Sequence, residues 1–234
     1  MIQDIILTSR FLTPRWILVI FSSLIILLPI MSAIINQDKL PYALKIIKIY
    51  CIGTLFFEIL CWSIILLPFS NHQNHWTINL FNIFELLILG YYFFHVIINK
   101  QFKNIIKYLT VISVIAILFL TIINFDDVNK YDTITHSVTY LTLMLFVLIN
   151  FYEILYFNDS LNLGQYPYFW IASGILIYFA GSFFVNLFGN TILFNSSFKD
   201  YWLIYYILLI IFRIFLAIGL WFSKTPQQLS PSLK

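Results

Sequence analysis

Charge is scarce in this 234-residue chain, and acidic charge is scarcest where the chain is most apolar. Charged residues make up 10% of the sequence, against about 25% in a soluble globular domain. That shortage excludes an ordinary soluble domain. The net charge of +3 is small and its basic residues are scattered, which leaves no footprint for nucleic acid. Cysteine is nearly missing as well. Cys51 and Cys61 stand ten residues apart on one expected helix, a separation of about 15 Å that no disulfide bridges. Serine nucleophile elbows, phosphate-binding glycine loops and thiol motifs are all absent, which argues against an enzyme. His72 and His75 form H-x-x-H with no cysteine or glutamate beside them, so neither a metal nor another cofactor is expected.

What the chain has instead is apolar length. Hydrophobic residues make up 61% and mean hydropathy is +0.91. Seven runs are long enough to cross a hydrocarbon core of about 30 Å as helices, near 16–36, 44–69, 77–98, 107–125, 134–157, 168–189 and 201–222. Inside lipid each backbone polar group needs an internal partner, so such runs are helices and not open strands. The expected fold is an all-α membrane protein, a seven-transmembrane-helix bundle spanning 16–222. A short interfacial segment, 1–15, precedes it and a flexible tail, 223–234, follows. No segment outside the bundle is long enough to fold alone, so output is expected to need a separate membrane-protein partner. A bacterial inner (plasma) membrane is the expected location.

Lysine and arginine set the orientation. With the N-terminus outside and the C-terminus cytoplasmic, eight basic residues face inward (Lys39, Lys45, Lys48, Lys100, Lys103, Lys107, Lys224 and Lys234). Four face outward: Arg10, Arg15, Lys130 and Lys199. Trp16, Trp76, Tyr168 and Trp202 fall at the expected interfaces, where amphipathic rings anchor helix ends.

Glu58, Glu85 and Glu153 all lie within the apolar runs, while all seven aspartates lie between them. An ionisable group at that depth is costly, about 2.5–3.5 kcal/mol on insertion scales, and marks a polar interior or a function. Helical spacing gathers further polar residues beside the glutamates. Cys51, Thr54, Glu58 and Cys61 share one helix face; Asn79, Asn82, Glu85, Tyr92 and His95 share another. His136, Tyr140, Asn150 and Glu153 form a third stripe, and Trp202, Tyr206 and Arg213 a fourth. At 1.5 Å per residue from the outer edge, Glu85, Glu58 and Arg213 come to depths of about 12, 15 and 18 Å, close enough to meet in one layer. Arg213 is expected to hold one glutamate through a forked hydrogen bond and leave the other neutral.

Glu153 falls near the inner helix end, within reach of water or the inner lysines, and His95 and His136 read as interface residues. Gly174, Gly181, Ser182 and Gly189 suit close helix packing on the sixth run. Pro29 and Pro68 sit near helix ends and give no reason to expect a broken helix at a binding site. The outline resembles rhodopsins and seven-helix receptors, but the last run holds Arg213 and no lysine before Lys224, which excludes a retinal Schiff base. Two functions remain. One is a receptor, sensor or accessory bundle with a ligand cavity ringed by Glu58, Asn82, Glu85, Tyr92, Tyr206 and Arg213. The other is a proton-coupled transporter or channel for a small solute, with His95, Asn150 and Glu153 completing the path.

Overall fold

Helices account for nearly all of the described structure. The computed structural model describes residues 14–66, 75–123, 133–157, 162–188, 201 and 203–224. Residues 1–13 of the expected interfacial segment 1–15, Pro68, His72, Gly189, Trp202 and the tail from 225 onward lie outside them. The helices are α1 (Pro14–Leu24), α2 (Leu27–Ile35), α3 (Tyr42–Leu66), α4 (His75–Val96), α5 (Lys100–Ile123), α6 (Thr133–Phe157), α7 (Pro167–Leu187) and α8 (Leu203–Trp221). No strand occurs among the described residues.

Among the described residues six helical stretches are long and apolar enough to cross a membrane: Trp16–Ile35, Thr77–Val96, Lys100–Ile123, Thr133–Tyr156, Pro167–Leu187 and Leu203–Trp221. The chain is therefore that of a multi-pass integral membrane protein with apolar helices suited to a lipid bilayer. The second expected run also forms a helix, α3, 25 residues long and carrying Lys45, Lys48 and Glu58. The fourth run differs from expectation at its start, since α5 begins at Lys100 and not near 107. Lys100, Lys103 and Lys107 are polar enough to end an apolar run but are good helix formers, so the helix continues through them.

The helix order round the bundle follows the chain. The α1–α2 pair packs on α8 and α3, then α3 on α4, α4 on α6, α6 on α7, and α7 on α8, closing a ring. Helix α5 stands outside it, against α4 and α6. Its outer face shows Ile112, Ile115, Phe119 and Ile122 exposed, as suits a helix turned to lipid. Its inward face buries Ile106 and Ile117 and makes a polar contact, Ser113 Oγ 2.9 Å from Thr142 Oγ1. The Asn36 amide donates to the Leu220 carbonyl at 3.1 Å, which puts the C-terminal ends of α2 and α8 at the same end of the bundle.

Lipid offers helices little hydrophobic reason to associate, so close approach by small residues carries more weight than in water. Gly174 and Gly181 bring α7 against Phe215 and Leu208 of α8. The tightest approach to backbone is at Gly219. A Cβ there would stand 2.6 Å from Ile171 Cγ1 and 3.0 Å from the Pro167 carbonyl oxygen. Gly219→Ala is therefore expected to push α8 off α7 and lower stability by about 1–3 kcal/mol, read as a fall in the unfolding midpoint in detergent. An unchanged midpoint would mean that the α7–α8 seam yields freely.

Candidate functional site

Pro29 shapes the site from four residues away. Proline lacks an N–H and its ring crowds the carbonyl four residues earlier, here that of Ile25. The first apolar run accordingly breaks at Ile25–Ile26, between α1 and α2, and Leu28 N–H bonds the Ile25 carbonyl at 3.1 Å. This corrects the expectation that Pro29, lying near a helix end, leaves the helix intact. Just before the break, the Ser22 carbonyl accepts a hydrogen bond from Arg213 Nη1.

Arg213 Nη2 pairs with Glu58 Oε1. One guanidinium thus ties α8 to both α1 and α3. The pair predicted from depth forms, but the forked geometry does not, because the second nitrogen goes to backbone. Arg213 is 1% exposed and Glu58 20%. Arg213 Nε and Glu58 Oε2 are buried without hydrogen-bond partners.

Glu85, 1% exposed, takes a different neighbour. Tyr50 Oη donates to Glu85 Oε1 at 2.7 Å. One turn earlier on α4, Asn82 Nδ2 lies 2.8 Å from His136 Nδ1 on α6. Tyr178 of α7 and Tyr205 of α8 share a hydrogen bond at 2.9 Å. All these groups border one cavity of about 550 Å³, within the usual range for small-molecule sites. It lies toward the N-terminal ends of α1, α4, α6 and α8 and the C-terminal ends of α3 and α7. Trp16, Trp62, Phe57 and Phe81 add aromatic wall, the two indoles 6.2 Å apart. At its base Tyr178 stacks on Phe212 at 4.9 Å, with Tyr50 6.1 Å from the same ring.

Of the six residues expected to form the primary site, Glu58, Asn82, Glu85, Tyr206 and Arg213 line this cavity. Tyr92 does not. It lies two turns beyond Glu85 on α4, fully buried, with its hydroxyl unpartnered. The stripe from Asn79 to His95 continues past the cavity floor, so sharing a helix face is no guarantee of sharing a site.

The three secondary residues stay apart from the cavity as well. His95 Nδ1 lies 2.9 Å from the Tyr91 carbonyl, and its ring packs against Tyr91 and Tyr42. Asn150 is buried, its Oδ1 without a partner. Glu153 is 5% exposed and accepts from the Ile98 and Asn99 amides at 2.8 and 2.9 Å. Its partners are thus backbone N–H groups, where water or lysine was expected. Nearby, burial pushes the Tyr166 hydroxyl up to about 12, with Tyr168 and Glu153 adding to the effect.

His136 was expected at an interface and instead lies inside the bundle, 5% exposed, because Asn82 gives its ring a buried partner. Tyr168, expected as an interfacial anchor, is likewise buried. Sequence reasoning missed Ser22, Tyr50 and Trp62 as site residues. Pro29 signals the break at Ile25–Ile26 but not Ser22 itself; Tyr50 and Trp62 look like any other aromatic in a chain with 15 Tyr and 6 Trp. No group of histidine, cysteine, aspartate or glutamate able to hold a metal occurs among the described residues. Compared with protein families, curated proteins and solved structures, the chain matches none.

Proposed function

We propose that this protein is a seven-span receptor or sensor, or an accessory subunit of one. A small molecule binds in the central cavity, and output passes to a separate membrane protein. In this reading α3 is the seventh span. The N-terminus lies outside a bacterial inner membrane, the C-terminus lies in the cytoplasm, and the cavity opens outward. The observation that carries the reading is the confinement of the polar cluster to one half of the ring. Beyond Tyr50, Tyr178 and Phe212 the interior continues in buried Phe93, Phe146 and Leu143. A solute pathway needs polar groups continuous toward both faces, and these apolar side chains stand between the cavity and the buried Tyr92, Asn150 and Glu153. A ligand touching the Arg213–Glu58 pair would instead change how α8 is held to α1 and α3. That differential contact is what a two-state response requires.

A second reading, a proton-coupled transporter or channel, draws on the break between α1 and α2. Interrupted helices at a cavity are a recurring feature of secondary transporters. The two readings part in liposomes. On the receptor reading, wild-type protein produces no proton flux, and Glu58→Gln and Glu85→Gln change nothing. A flux abolished by either substitution would replace it with the transporter.

A further inference from the structure

We infer that the cavity ligand is an organic cation with an apolar or aromatic body, its charge answered by Glu85 and its body held between aromatic walls. This rests on the reading of the cavity as a ligand site. The charges on the cavity wall are uneven. Arg213–Glu58 is the ion pair found among the described residues, and it satisfies the guanidinium charge internally. Glu85 is a second carboxylate on the same wall, and its hydrogen bond comes from the neutral Tyr50 hydroxyl. Among the described lining residues the cavity therefore offers one carboxyl group more than it has guanidinium or ammonium groups, His136 on the same wall being paired with Asn82.

The remaining surface suits such a guest. Aromatic faces carry negative quadrupoles that attract ammonium groups, and cages of this kind recognise quaternary amines. Phe57 and Phe81 pack 5.5 Å apart on α3 and α4, and Trp16 and Trp62 add a second ring pair between α1 and α3. An anionic guest would have to compete with Glu58 for Arg213 while facing Glu85. A neutral guest would leave Glu85 with the Tyr50 hydroxyl as its partner and no counter-charge.

The test is calorimetric titration of the full chain in phosphatidylglycerol nanodiscs, with empty discs subtracted. The probes are benzyltrimethylammonium, its uncharged isostere neopentylbenzene, and phenylacetate. The cation is expected to bind at least about tenfold more tightly than either of the others, and Glu85→Gln to remove that preference. If Glu85→Gln fails to fold, the ranking of the three probes on wild type decides alone. Equal binding of the isostere, or tighter binding of phenylacetate, lost in each case on Ser23→Phe, would overturn the cation and leave the ligand cavity standing. Failure of all three probes to bind would overturn both. Repeating the titration in phosphatidylcholine discs separates two sources of the same chemistry. Competition there identifies a lipid headgroup, and an unchanged affinity identifies a free amine.

Discussion

Arg213→Met is expected to be the most damaging single substitution in the cavity, lowering stability by about 3 kcal/mol. Breaking a buried ion pair by removing one partner costs about 3–5 kcal/mol, because the other charge remains where water cannot answer it. The lower end applies here, since Glu58 keeps 20% of its side chain exposed. Methionine preserves much of the arginine stem, so packing against α1 and α3 changes less than charge does. The Ser22 carbonyl also loses its donor. A second substitution separates charge from packing. In Arg213→Met with Glu58→Gln, the stranded carboxylate is gone and most of the loss should be recovered, a coupling readable from a double-mutant cycle in bicelles. Additive losses would show that Arg213 acts through its own packing and not through the pair.

The same pair shows how far the sequence carries. Depth along a helix follows from residue spacing, so Glu58 and Arg213 could be matched before any helix order was known. Partner choice could not. Arg213 divides its nitrogens between a carboxylate and a backbone carbonyl, and a carbonyl has no letter in the sequence. That carbonyl stands just before the break between α1 and α2, and the sign of the break is Pro29, which the sequence places only by its nearness to a helix end. The proline removes an N–H from the helix and sets its ring against the Ile25 carbonyl, and both effects act a full turn upstream. Helical spacing likewise identified polar faces correctly and overstated their unity. Asn82 and Glu85 reach the cavity, whereas Tyr92 on the same face passes below its floor. Spacing gives direction about a helix axis. The floor is made by rings from α3, α7 and α8, whose neighbours only the folded ring reveals.

Glu153 carries the other large expected effect, and it concerns the end of the bundle away from the cavity. Helix α5 begins with four N–H groups that have no intrahelical acceptors. Asn99 answers one of them, its Oδ1 accepting from Gln101 N–H at 2.8 Å. The amides of Ile98 and Asn99, just before the helix, turn to the two oxygens of Glu153 on α6. The first two turns of α5 hold Lys100 and Lys103, with Lys107 next, and no acidic residue in the first turn, so the charges at its start oppose the helix dipole. A carboxylate at this end offsets them. It also fastens the one helix that stands outside the ring. Hydrogen bonds to charged groups contribute about 1.5–3 kcal/mol each, and a buried donor left unsatisfied costs about 1–3 kcal/mol. Glu153→Leu is therefore expected to lower stability by about 2–4 kcal/mol, and Glu153→Gln by less, since the amide keeps one acceptor. Hydrogen exchange at the Ile98 and Asn99 amides should quicken in both variants while exchange deep in α4 stays slow. If these amides remain protected in Glu153→Leu, α5 is held by its side-chain contacts to α4 and α6, and the carboxylate is not what anchors it.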